Sequence, residues 1–112
     1  SRQAVSALHT LREVVPEESA LLLPNRVDPT RPMADRSLNA VMERLGYSGV
    51  GTPHGMRAAF STHFNSAGAS VDVIEDCLAH VPANRVRAAY NRHQYQDERR
   101  AMLQTWADFL ET

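Results

Sequence analysis

Prolines and glycines cut this chain of 112 residues into short pieces, and within most pieces the apolar residues recur at helical spacing. That punctuation restricts the chain to an assembly of short helices. "SRQAVSALHTLREVV" carries Val5, Leu8, Leu11 and Val15 on one face, with Ser1 as N-cap and Pro16 as stop. "LLLPNRVDPTRPMAD" holds three prolines between Pro24 and Pro32 and reads as a short buried segment followed by an irregular loop. "SLNAVMERLG" is a helix capped by Asp35 or Ser37 and stopped by Gly46, and "YSGVG" is a turn. Thr52 as N-cap and Pro53 at the first position open a third helix through "HGMRAAFSTHFNSAG" to Gly68. Ser70 caps a fourth, "VDVIEDCLAH", with Asp72 in its first turn, and Pro82 breaks the chain just beyond it. "NRVRAAYN" is a short helix. "DERRAMLQTWADFLET" is a last amphipathic one with Met102, Leu103, Trp106, Phe109 and Leu110 on one face. No stretch alternates with period two and none repeats, so the expected class is all-α.

The length suits one small domain. "ALLLP", from Ala20 to Pro24, is the longest apolar run and is too short to span a membrane; no charged-then-apolar leader precedes it. The single Cys77 has no internal disulfide partner, which suits a reducing compartment and a role as a small core residue. The chain opens on "SRQAV" rather than on Met and reads as a piece of a larger protein.

Charge is informative through its placement. The net charge of −1 argues against a generic nucleic-acid clamp. Yet all twelve cationic residues are arginine and none is lysine. A planar guanidinium suits bidentate phosphate contact, although a GC-rich genome explains part of the bias. Between His80 and His93 stand Arg85, Arg87 and Arg92 with no carboxylate, all around Tyr90. These three arginines are candidate phosphate-binding residues.

Three further pieces carry chemistry. "HGMR" places His54 and Arg57 three residues apart, on one face of a helical first turn where free backbone N–H groups favour an anion. His80 ends the fourth helix, where a cation suits the helix dipole. Tyr90 lies ten residues further on. Each alone is ordinary: a surface His–Arg pair, a helix C-cap and a packed tyrosine.

Taken in order, "HGMR", "LAH" and "RAAYNR" resemble the tyrosine recombinase (phage integrase) family. The surrounding text, "TPHGMRAAFSTHFN" and "LAHVPANRVRAAYNRHQYQDERRAMLQTWADFL", is similar to integrases of P4-type prophages and genomic islands. The resemblance implies the C-terminal helical portion of that family's catalytic domain, residues 1–112, with the family's small β-sheet upstream and a helix over 95–112 that docks in cis or in trans. It implies site-specific recombination of attachment-site DNA in a complex of protomers, in the bacterial cytoplasm at the nucleoid, with no membrane, metal or other cofactor. Tyr90 would attack the scissile phosphodiester and form a 3′-phosphotyrosyl bond, which a hydroxyl of another strand then resolves. Arg57 would hold the non-bridging oxygens, His54 would share in proton transfer with Tyr90, and His80 would hydrogen-bond the phosphate. Free tyrosine has a pKa near ~10, so it needs such a setting at neutral pH.

The family also uses an earlier arginine and a hairpin lysine. This chain has no lysine, and its Arg2 and Arg12 fall on the first helix, so the fragment alone is expected to be inactive. Tyr95 competes with Tyr90 as nucleophile, but its place suits packing at the start of the last helix, and Tyr47 lies beside a turn with no charged setting. Zinc is disfavoured: His54 and His63, nine residues apart, face opposite ways on a helix, and one cysteine builds no structural finger. A type IB topoisomerase shares the chemistry, although the local text is that of prophage integrases. A non-catalytic helix-turn-helix module is the alternative from another class.

Overall fold

A computed structural model describes residues 1–80 and 95–112. The described residues hold five helices and no strand: α1 (Arg2–Val14), α2 (Ser37–Arg44), α3 (Pro53–Ser66), α4 (Val71–Cys77) and α5 (Gln96–Leu110). The all-α expectation holds there. "NRVRAAYN", read as a short helix, lies outside the described residues. Two compact units divide the chain, one over Arg2–Pro53 and one over His54–Thr112 together with Ser1.

In the first unit, α1 leads into a loop that side chains hold in place of regular structure. Three prolines deprive this loop of backbone donors, and short polar side chains bond the remaining ones. Arg12 donates to the carbonyls of Ser19 and Glu17. The buried Ser19 hydroxyl donates toward the carbonyls of Pro29 (3.0 Å) and Leu21 (3.3 Å), and accepts the Leu21 N–H at 3.2 Å. Asn25 accepts from Val27 N–H, and Asp28 from Thr30 N–H and Oγ1. An isolated antiparallel bridge joins Pro24 to Pro32.

"LLLP" is not the buried segment its composition suggested: Leu22 and Leu23 are each 43% exposed. With Leu11, Val14 and Met33 they line an open apolar cavity of about 410 Å³. The start of α2 also differs from expectation. Neither Asp35 nor Ser37 occupies the cap position, which is Arg36 in a helical conformation without a side-chain bond. The turn before the helix already supplies a partner, since Ser37 N–H donates to the Ala34 carbonyl at 2.9 Å. Gly46 (φ 84°) then ends α2, with its own N–H on Glu43 and that of Tyr47 on Met42. That pair of bonds is a Schellman motif, whose left-handed residue is normally glycine.

The second unit carries the core. Phe60 and Phe64, one turn apart on α3, pack with Ile74 and Leu78. Ile74 is 0% exposed. From α5, Met102, Leu103 and Trp106 lie against this cluster. The Phe60 and Trp106 rings meet edge to face at 5.6 Å, an arrangement that favours the aromatic quadrupoles. Beyond Trp106 the apolar stripe of α5 loses its cover. Phe109 reaches the rings of His63 (4.6 Å) and Trp106 (5.5 Å) yet stays 52% exposed, and Leu110 is exposed as well.

Ser70 stands at the α4 cap position without a side-chain bond. Cys77 packs beside Met102, 3.9 Å between sulfurs, and burial pushes its thiol pKa up, with Arg99 opposing. Asp76 pairs with Arg99 of α5 at 3.4 Å. No described helix is long and apolar enough to cross a membrane.

Candidate active site

Thr52 and Pro53 start α3 one residue ahead of His54, so His54 lies in its first turn and Arg57 begins the second. Pro53 suits that start because its missing N–H is one the helix would not use. Both His54 and Arg57 are exposed.

α4 ends three residues before the sequence pattern suggested, at Cys77 rather than His80. The reversal is at Ala79, whose φ of 53° lies in the left-handed region. Its N–H donates to the Asp76 carbonyl (3.2 Å), and the His80 N–H to the Glu75 carbonyl (3.0 Å). This is again a Schellman closure, here with alanine where α2 and α3 use Gly46 and Gly68. An L-residue costs about 1–2 kcal/mol in that conformation. Leu78 supplies the compensation, since its side chain is buried in the core.

The two motifs meet here. An Nη of Arg57 donates to the Leu78 carbonyl, one of the helix-end oxygens that has no intrahelical partner. "HGMR" and "LAH", 21 residues apart at the bonded positions, are therefore joined by a direct hydrogen bond. A guanidinium has five N–H donors in a rigid fork, so this anchor aims the others without exhausting them.

His80 is held on its other side. Its Nδ1 lies 2.5 Å from Oε2 of Glu75, with the two side chains 51% and 45% exposed. A carboxylate only accepts, so Nδ1 carries the proton in this contact. Nε2 is then the nitrogen left for a ligand.

The structure thus brings Arg57 to the turn that carries His80, with His54 three residues before Arg57 on α3. Tyr90, Arg85, Arg87 and Arg92 lie outside the described residues. Tyr95 is half-buried at the N-cap of α5, where its carbonyl accepts the Arg99 N–H at 2.9 Å. Among the described residues no group of three or more His, Cys, Asp or Glu side chains gathers as a metal site. Glu75 was not legible as a site residue. Residues five apart on an unbroken helix diverge by about 140°, so only the reversal at Ala79 brings Glu75 to His80.

The Phage integrase family profile matches residues 1–97. The chain is 46% identical over 89 residues to the prophage integrase IntA of Escherichia coli K12, covering 80% of this chain and 22% of that protein. It is 38% identical over 111 residues to the prophage integrase IntS of the same strain, covering 99% and 29%. To the integrase of Enterobacteria phage P4 it is 36% identical over 115 residues, covering 99% and 26%. The chain therefore spans under a third of the length of these relatives. No solved structure matches it. With a profile covering most of its length and these three relatives all named integrases, the chain belongs to the phage integrase family.

Proposed function

We propose that these residues are the C-terminal part of the catalytic domain of a prophage-type integrase that cleaves and rejoins DNA through a phosphotyrosyl intermediate. One observation supports the reading: the Arg57 guanidinium is bonded to the carbonyl of Leu78, in the turn that carries His80. Arg57 and His80 then converge on one anion. Arg57 offers the planar fork and His80 the Nε2 atom. His54, in the α3 first turn beside Arg57, takes part in proton transfer, and Tyr90 is the nucleophile. Arg85, Arg87 and Arg92 contact flanking phosphates of double-stranded DNA. The reaction retains the bond energy in the tyrosyl ester, so it draws on no nucleotide and no metal. Other protomers complete the recombination complex. Residues 95–112 dock in cis or in trans, and the packing of α5 on the Phe60–Ile74 core supports the cis arrangement.

The test is covalent trapping. Full-length protein is incubated with a nicked attachment-site duplex, and protein–DNA adduct is scored on a denaturing gel. Tyr90→Phe is expected to abolish the adduct while DNA binding persists, because it removes one oxygen and little packing. Adduct surviving in Tyr90→Phe refutes the assignment; adduct lost in Tyr95→Phe instead moves the nucleophile to Tyr95.

A further inference from the structure

We propose that Glu75 is the positioning residue for the His80 imidazole: by accepting from Nδ1–H it fixes the ring orientation, so that Nε2–H of the doubly protonated ring is the donor presented to the DNA phosphate. The proposal rests on the reading of His80 as a phosphate ligand.

Glu75 grips His80 twice. Its backbone carbonyl accepts the His80 N–H at 3.0 Å, and its carboxylate meets Nδ1 at 2.5 Å. The first bond fixes where the His80 backbone leaves α4. The second fixes the side chain on that backbone. Both depend on the left-handed Ala79, which turns the chain back over the preceding turn. The neighbouring carboxylate has a different partner, since Asp76 pairs with Arg99 of α5. The two adjacent acids of "VIEDCLAH" thus divide their work, one toward the last helix and one toward the histidine.

The chemistry needs such a hold. An imidazole 51% exposed to solvent samples several rotamers and both tautomers unless something selects among them. A flipped or rotated ring would present the wrong nitrogen at the wrong angle. A carboxylate on one ring nitrogen is the usual way a protein fixes the role of the other. A phosphate oxygen only accepts, so with Nδ1–H on Glu75 the ring serves it as the imidazolium, donating from Nε2–H.

The experiment uses the full-length integrase and two readouts. The first is the ring ¹⁵N spectrum of histidine-labelled protein, with His80 assigned from the His80→Gln spectrum. With the nicked duplex bound, the expected parent signal is a ring protonated at both nitrogens, and Glu75→Ala should leave the Nδ1 proton largely lost. An unchanged ring protonation pattern in Glu75→Ala overturns the proposal. The second is the rate of adduct formation in a single turnover. Glu75→Gln keeps size and shape but accommodates either tautomer. It should slow the step roughly 10–100-fold, the usual effect of losing such a support, with DNA affinity within about twofold of the parent. In a His80→Gln background the same change should have no further effect. Parental rates for Glu75→Gln, or an equal loss in both backgrounds, overturn the proposal. If His80→Gln itself cleaves at the parental rate, the phosphate role of His80 fails, and the ring spectrum still decides what Glu75 does.

Discussion

Arg57 and Ala79 carry the site's constraints in single side chains. Arg57 donates to a protein carbonyl and, in the proposed reaction, to a phosphate. Lysine retains the charge but lacks a fork that holds two acceptors in fixed directions. Arg57→Lys is therefore expected to form adduct about as poorly as Arg57→Ala, roughly 10²–10³-fold below the parent, the usual cost of losing a donor to a developing oxyanion. Near-parental cleavage by Arg57→Lys would show that Arg57 acts as a remote charge. Ala79 is held at a φ of 53° where the equivalent residues ending α2 and α3 are glycine. Ala79→Gly should raise the unfolding free energy by about 1 kcal/mol, less whatever glycine adds to the entropy of the unfolded chain. Gly68→Ala (φ 74°) should lower it by a similar amount. A Cβ at Gly68 meets nothing within 4 Å, so only backbone strain acts there. Thermal melts of the two variants moving in opposite directions would verify the pair.

At the level of elements, α4 is only 7 residues long and could not persist by itself in water. Burial keeps it folded, through Ile74 and Val73 facing inward, while the Asp76–Arg99 pair, partly exposed and 3.4 Å apart, adds at most about 1 kcal/mol. Hydrophobic contact therefore dominates the placement of the "LAH" turn. Ile74→Ala should cost about 2–5 kcal/mol in urea unfolding, because it leaves a cavity at a fully enclosed position. The same variant should lose adduct formation under conditions where it remains folded, since Leu78 and Glu75 ride on the same helix. An Ile74→Ala protein that is destabilised but cleaves at the parental rate would mean that the turn holds its shape without α4.

For the whole molecule, net charge and residue inventory set the limits. A chain of net charge −1 gathers few phosphates and releases few counterions, so its own DNA affinity should be weak. The absence of lysine removes one of the two groups that the family resemblance adds to Arg57, the acid for the departing 5′-oxygen. A positioned acid contributes about 10²–10⁴-fold to such a step. The 112-residue chain alone is expected to form phosphotyrosyl adduct several orders of magnitude more slowly than the full-length integrase on the same nicked duplex. Equal rates would show that nothing outside these residues supplies the missing acid.

The amino-acid sequence by itself determined the helical class, most helix ends and the ordered motif set. These are local properties: Pro16, Gly46, Pro53 and Gly68 act on the backbone where they stand, and apolar spacing needs only a few turns to show. It misjudged what depends on neighbours. "LLLP" looked buried and is half open, and the stripe of α5 runs past its cover at Phe109. Tertiary structure alone decided the site. Arg57 finds Leu78 across 21 residues because Phe60, Phe64 and Ile74 pack α3 against α4. Glu75 finds His80 because alanine, with no glycine to announce a reversal, is held in a left-handed turn by the buried leucine before it. Periodicity records which face a residue occupies; only the packed core decides which faces meet.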